Sequence, residues 1–210
     1  MIAQKQNALK AAIENSTRAI EVKPDFETVY GDLCHVLFRD GQIEKAKEVV
    51  IKGIALNPDN ANFHHYLGNL HFHGKRGNQA SSCFLKALSL QPKYVEVHSN
   101  LGLAYQSQGL FDEAMRSYQR ALEFQPDHPD AQFNEGTCRL LIGDFAQGWQ
   151  KCEWRWQTNL QKGKQPNFTQ PMWSGKEPLQ GKTVLLHAEQ GFGDTIQFSR
   201  YAKLVAARGA

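Results

Sequence analysis

VEVHSNLGLAYQSQGLFDEAMRSYQRALEFQPDH, residues 95–128, is one period of a pattern that runs through most of the chain. It ends just past Pro126, and prolines hold the same place in earlier periods at Pro92, Pro58 and Pro24, each 34 residues from the next. Five places before each proline stand Ala19, Gly53, Ala87 and Ala121; twelve places before stand Ala12, Ala46, Ala80 and Ala114. Small side chains recur where two helices must approach closely, and a proline after a helix cannot continue it. A fixed period of this length marks a stacked array whose unit is a pair of helices, each unit burying its apolar face against the next. The expected fold is an all-α solenoid, and binding along its concave face is the default use of such a stack.

Positions inside the unit are more specific. His98, Leu101, Gly102, Tyr105, Gly109, Phe111, Ala114, Tyr118, Ala121 and Pro126 resemble the tetratricopeptide-repeat pattern W-x2-L-G-x2-Y…A-x3-F…P, with His98 in the tryptophan place. The unit before matches through Leu67, Gly68, Ala80, Phe84, Ala87 and Pro92. The one before that matches through Tyr30, Leu33, Ala46 and Pro58, with Cys34 where glycine is usual. The boundaries follow. Residues 1–26 form a half repeat whose helix covers about Asn7–Val22; full repeats occupy 27–60, 61–94 and 95–128; a degenerate cap repeat occupies 129–160.

That last repeat carries Phe133, Gly136 and Leu140 on its first helix and Gly143 in the turn, with Leu160 replacing the fifth proline. Gly148 and Arg155 occupy its small-residue places. A terminal unit that departs from the pattern caps the stack or hands it to another domain. Over 145–157, Phe145, Trp149, Cys152 and Trp156 fall on one stripe at 100° per residue, expected to pack on the repeat before, and Trp154 lies opposite. The Trp154 ring is then covered by a following domain or forms an interaction patch.

The bulk properties exclude several classes. A net charge of +3 on 210 residues, without a block of like charges, does not suit nucleic acid. No run approaches the roughly 20 apolar residues of a membrane span, and the N-terminal MIAQKQNALKAAIENS lacks a signal-peptide apolar core, so a cytoplasmic location is expected. Cys34, Cys83, Cys138 and Cys152 sit in expected helices without a CxxC pair; small buried residues are the first reading, a disulfide or metal role the second. His64, His65, His71 and His73 invite a zinc reading, but His64 and His71 hold the repeat's two aromatic packing positions and His98 recurs one period on. No carboxylate or cysteine completes a ligand set, so neither a metal nor a cofactor is expected.

Beyond the repeats, 161–181 reads as an irregular connector with Pro166, Pro171 and Pro178, in which Trp173 suggests interdomain docking. Lys182–His187 then reads as a buried strand, Ala188–Asp194 as a glycine-bearing loop and Thr195–Arg208 as a helix. Strand, loop and helix open a doubly wound α/β domain. The expected fold class is thus an all-α repeat solenoid followed by a short, incomplete α/β segment of one strand and one helix. A lone strand leaves both edges unpaired, so 182–210 is expected to begin a domain that continues in a longer natural protein. Gly191 and Gly193 let the backbone approach an anion, with His187 beside them, although Ile196 stands where a dinucleotide fingerprint needs its third glycine.

GDFAQGWQKCEWRWQ, PMWSG and GKTVLLHAEQGFGDTIQFSRYAKLVAARGA, within 143–210, resemble bacterial tetratricopeptide proteins whose repeats lead into a glycosyltransferase-like domain. The tail is also similar to the start of heptosyltransferase-type GT-B enzymes. That resemblance implies Asp194 as the base that deprotonates an acceptor hydroxyl, with Gly191 and Gly193 shaping the loop and a nucleotide sugar held by a second domain in a full-length parent. The other reading of Asp194 is a helix N-cap.

The repeats resemble, too, those of the O-linked N-acetylglucosamine transferases, whose asparagines face substrate peptides from an N-L-G triplet. Asn100-Leu101-Gly102 matches; Asn134 holds the same place with Glu135 for leucine, while Asp32 and Tyr66 depart. The groove candidates are His35, His65, Asn69, His73, Asn100 and Asn134, as peptide contacts or as plain solvated positions. The expected function is a protein- or peptide-binding scaffold; the alternative is a fragment of a glycosyltransferase, inactive by itself.

Overall fold

The computed structural model describes residues 2–158, 161–162, 168–173, 175, 177–187 and 192–209. They belong to two units, residues 1–165 and 166–210.

The first unit is the solenoid. Its helices are α1 (Ile2–Val22), α2 (Glu27–Arg39), α3 (Ile43–Leu56), α4 (Ala61–His73), α5 (Gly77–Leu90), α6 (Val95–Ser107), α7 (Phe111–Phe124), α8 (Pro129–Leu141) and α9 (Phe145–Cys152), the last passing into a 3-10 turn over Glu153–Gln157. Each helix packs on its neighbours in sequence, and α2, α4, α6 and α8 also touch one another in turn. These first helices therefore line one face of the stack while α3, α5, α7 and α9 back them. The first helix begins at Ile2, ahead of the expected Asn7.

The small residues of the period are where the pairs close. Ala46, Ala80, Ala87, Ala114 and Ala121 are wholly buried. A Cβ on Gly68 would lie 2.4 Å from the Phe84 ring, and one on Gly102 would lie 2.4 Å from the Tyr118 ring. The backbones of α4 and α6 thus rest on the aromatic rings of α5 and α7. Burying a ring of this size contributes about 2–3 kcal/mol. The Tyr118 hydroxyl, buried with its ring, donates to Gln106 Oε1 at 2.8 Å.

The prolines act through their carbonyls as well as their rings. Asn57, Gln91 and Gln125, each just before a proline, leave the helical region, as the proline ring requires of its predecessor. Six residues after each proline a side chain donates back to its carbonyl. The Tyr30 hydroxyl reaches Pro24 O at 2.7 Å, His64 Nε2 reaches Pro58 O at 2.7 Å, His98 Nε2 reaches Pro92 O at 2.9 Å and Gln132 Nε2 reaches Pro126 O at 2.7 Å. His64 and His98, read from sequence as packing residues, are therefore donors in a clasp that repeats every 34 positions. His98 also packs its ring 5.8 Å from Phe124.

The turn inside each repeat needs a left-handed residue. Gly41, Gly109 and Gly143 supply it at φ 80, 75 and 89°, but in the second repeat Lys75 takes φ 57°. A side chain there costs conformational energy that glycine avoids. Lys75→Gly is expected to raise stability by about 0.5–1 kcal/mol, seen as a melting midpoint about 2 °C higher in a thermal scan.

In the cap repeat the structure corrects the expected stripe. Phe145 and Trp149 are 59% and 64% exposed, and the buried residues of α9 are Gly148 and Cys152. The close face is turned toward glycine because a Cβ on Gly148 would meet the Leu140 side chain at 2.6 Å, and one on Gly136 would meet Lys151 Cβ at 2.9 Å. Large rings cannot sit in so narrow a gap. Lys151, on the same side, reaches Glu135, which is only 2% exposed. Lys151 Nζ lies 2.9 Å from Glu135 Oε2, Arg139 lies 2.6 Å from Glu135 Oε1, and Arg139 also pairs with Asp144 at 2.7 Å. Burial works against the Arg139 charge, but the bonds to Glu135 and Asp144 outweigh it and hold the guanidinium more firmly protonated than usual. Trp154 is half-buried, and Leu160 lies outside the described residues.

The second unit holds α10 (Phe192–Ser199) and α11 (Ala202–Ala206). The strand expected over 182–187 is not formed, and no strand occurs among the described residues. A single extended segment has no ladder partner to take its backbone groups, so it gains nothing from strand geometry. The expected single helix to Arg208 is broken at Arg200 and Tyr201. Its apolar side chains Ile196, Phe198 and Leu204 are exposed, and short helices without a packed face are marginal.

Candidate functional site

The inner face of α4 and α6 carries a hydrogen-bonded group centred on His65, which is 3% exposed. Asn69 Nδ2 lies 2.9 Å and Asn100 Nδ2 3.0 Å from His65 Nε2, and Asn100 Nδ2 also donates to Asn69 Oδ1 at 3.1 Å. Two amide donors facing one ring nitrogen assign the lone pair to Nε2 and the proton to Nδ1. That proton points along the 3.2 Å contact to the Tyr94 hydroxyl, which in turn donates to Asn62 Oδ1 at 2.8 Å. The chain runs Asn62, Tyr94, His65, then Asn69 and Asn100, across α4 and α6. Asn100 spends both of its N–H groups, while its carbonyl oxygen and one Asn69 N–H have no partner among the described residues.

Of the other groove candidates, His35 is exposed on α2 beside this group and lines a cavity of about 430 Å³ together with His65 and Asn69. His73 is exposed, its ring edge-on to Phe38 at 5.5 Å. Asn134 lies apart from the His65 group and donates to Ser99 Oγ at 3.3 Å. Sequence reasoning missed Tyr94, Asn62 and Glu96, which belong to the inter-repeat turn and to the first turns of α4 and α6. Their only sequence signal is polar or aromatic character at positions where the repeat pattern asks for nothing.

His65, His71 and His98 are all held below the ordinary imidazole range, burial being the largest cause in each. Glu96 opposes the shift at His65, and Lys47 and Arg76 add to it at His71. At His98 the bond to Pro92 O opposes it. An unfolded histidine takes up its proton near pH 6.5, earlier than these do in the folded chain. Stability is therefore complete above about pH 6.5 and falls as the pH drops below it. The fall is at most about 1.4 kcal/mol per pH unit for His65, and less for His71 and His98, where solvent screens the charge. Thermal midpoints are expected to be level from pH 7 to 8 and to fall toward pH 5, with a shallower fall in His65→Gln. An unchanged slope in that variant would remove His65 from the account.

The four cysteines are unpaired, Cys34, Cys138 and Cys152 buried and Cys83 half-buried. Burial pushes the Cys34 thiol up to about 12. No group of three metal-ligating side chains occurs among the described residues, and none of their helices is long and apolar enough to cross a membrane.

In the second unit, Trp173 Nε1 donates to Glu177 O at 3.0 Å and its ring lies under the Arg208 guanidinium, 5.3 Å away. His187 packs against Phe168 with ring centroids 4.8 Å apart. The expected loop ahead of Thr195 is shorter than the sequence suggested. Helix α10 already starts at Phe192, so Gly193 and Asp194 belong to its first turn and Asp194 is not the residue that precedes the helix. Gly191 lies outside the described residues.

Residues 3–70 and 95–128 match models of the tetratricopeptide repeat, and residues 76–109 match a further TPR-repeat model. These matches span more than half of the chain, which belongs to the tetratricopeptide-repeat proteins. No curated protein matches it. The fold is similar to that of MamA, at 20% identity over 77% of this chain and 94% of that one, with a TM-score of 0.62. It is similar to TTC0263, a thermophilic TPR protein of Thermus thermophilus, at 20% identity over 76% and 88%, with a TM-score of 0.64. It is similar also to YrrB, a TPR protein with an unusual peptide-binding site, at 19% identity over 74% and 80%, with a TM-score of 0.56.

Proposed function

We propose that this chain is a binding scaffold that holds an extended peptide against α4 and α6. The carrying observation is the Asn69–Asn100 pair. Locked by His65, it offers one free N–H and one free carbonyl oxygen, the donor and acceptor that a peptide unit complements. Because His65 fixes both amides before binding, little side-chain freedom is lost when a ligand arrives. A TPR protein of similar fold, YrrB, is itself reported with a peptide-binding site. Four unpaired thiols fit work in a reducing compartment, the cytoplasm. The test is an array of 12-residue peptides probed with the chain and with Asn69→Ala/His73→Ala/Asn100→Ala. The variant is expected to lose at least tenfold in bound signal; equal signal would remove the groove from the account.

A second reading rests on the resemblance of 143–210 to glycosyltransferase-linked repeat proteins. In a longer natural protein the repeats would present an acceptor, a nucleotide sugar would be the donor, and Asp194 would be the base. Further βα units encoded beyond Ala210 would support it, and a stop codon there would end it.

A further inference from the structure

The cavity of about 430 Å³ beside the asparagine pair has the scale of a ligand site, and its chemistry is one-sided. Phe38, Tyr66 and Tyr94 give it aromatic walls, Glu96 gives it a carboxylate, and neither lysine nor arginine lines it. The group that faces Glu96 is His65, 3.9 Å away, which the two amide donors and its burial keep neutral. The Glu96 side chain is 60% exposed, so its charge is neither neutralised nor enclosed. A second carboxylate, Asp32 on α2, does not line the cavity but acts on one of its walls: after burial and Cys34, Asp32 and Glu96 raise the Tyr66 phenol, and Glu96 also raises that of Tyr94. Asp32 makes no ion pair among the described residues. The Glu96 carboxylate among three aromatic rings, with Asp32 adding its charge on the Tyr66 side, attracts a cation, through charge and through the ring faces. A carboxylate-bearing ligand meets repulsion from the same groups.

We propose that this cavity takes an arginine or lysine side chain of the peptide whose backbone engages Asn69 and Asn100, a specificity that rests on the groove reading above. The peptide runs along the groove with its basic residue next to the gripped unit, so that backbone affinity and side-chain selection come from adjoining repeats.

The test uses the full chain and displayed 12-residue peptides whose central residue is fixed as Arg, Lys, Ala or Glu, all other positions being random. Arg- and Lys-centred peptides are expected to be retained at least tenfold over Glu-centred ones. In Asp32→Asn/Glu96→Gln, which keeps side-chain size and whose fold is checked by circular dichroism, Arg- and Lys-centred peptides should lose retention until that preference falls below twofold, while Ala-centred peptides, which do not use the cavity, are still retained. Retention without basic preference, or a preference that survives in the double variant, overturns this inference and leaves the groove intact. Failure to retain any peptide, whatever its centre, overturns the groove reading and this inference with it.

Discussion

Gly102→Ala is expected to destabilise the solenoid by about 2–3 kcal/mol, although alanine is the better helix former. The added Cβ would lie 2.4 Å from Tyr118 Cε1 and 2.6 Å from Cδ1, where no real Cβ fits. Tyr118 is wholly buried, with its hydroxyl held by Gln106, so the ring can yield only by breaking that bond or pushing α7 away from α6. Overpacking therefore outweighs the propensity gain of about 1 kcal/mol. Gly74→Ala is the control. Its Cβ would meet nothing nearer than 3.4 Å, and a change within about 0.5 kcal/mol is expected. Urea titration followed by far-ultraviolet circular dichroism reads both. The mechanism is checked in a Tyr118→Leu background, where the cost of Gly102→Ala should shrink by more than half because the obstructing ring is gone. An undiminished cost there would place its origin elsewhere than the ring contact.

Removing both cations from Glu135 is the second large effect. Arg139→Ala/Lys151→Ala leaves a carboxylate with 3% side-chain exposure and no counter-charge, and about 3–5 kcal/mol should be lost. Contacts in a solenoid are with near neighbours, so the loss is expected to be local. Native-state hydrogen exchange should show α8 and α9 opening at lower denaturant while α4 and α5 keep their protection. The complementary variant, Glu135→Leu/Lys151→Met, replaces the Glu135–Lys151 pair by apolar groups, removes the Glu135–Arg139 pair and leaves Arg139 with Asp144. Its cost should stay within about 1 kcal/mol. A collapse of that variant as deep as that of the double alanine would show that the charges are needed for more than their mutual compensation.

Parts of this chain are legible in advance because their contacts are local. The glycines and alanines of the 34-residue period mark contacts with the next helix in sequence, and a local contact leaves its mark at fixed spacing. Gly68 against Phe84 and Gly102 against Tyr118 are of this kind. Of the stripe Phe145, Trp149, Cys152 and Trp156, Cys152 is buried and Trp156 half-buried, but Phe145 and Trp149 face outward, because hydrophobicity alone does not orient α9. The gap beside Gly136 and Gly148 admits only small residues, whatever the wheel suggests. Glu135 departs from the leucine of the pattern, and Arg139 four residues on is legible as a helical ion-pair partner, but Lys151 comes from the next helix and carries no signature of its own.

The groove divides in the same way. Asn69 and Asn100 could be named as inner-face residues from their repeat position. That His65 is buried beneath them, accepts from both and passes its own proton toward Tyr94 could not be, since Tyr94 and Asn100 lie 29 and 35 residues from it in sequence. The sequence by itself determined the helix pairs and, for the repeats that keep the small residues of the period, the faces they close on, because a period of 34 repeats the same short-range packing each time. The tertiary structure alone decided which polar residues meet across repeats, which charges go uncompensated and that Lys182–His187 forms no strand. Those outcomes depend on partners brought together by stacking, or on a partner edge being there at all, and neither is written at any fixed spacing along the chain.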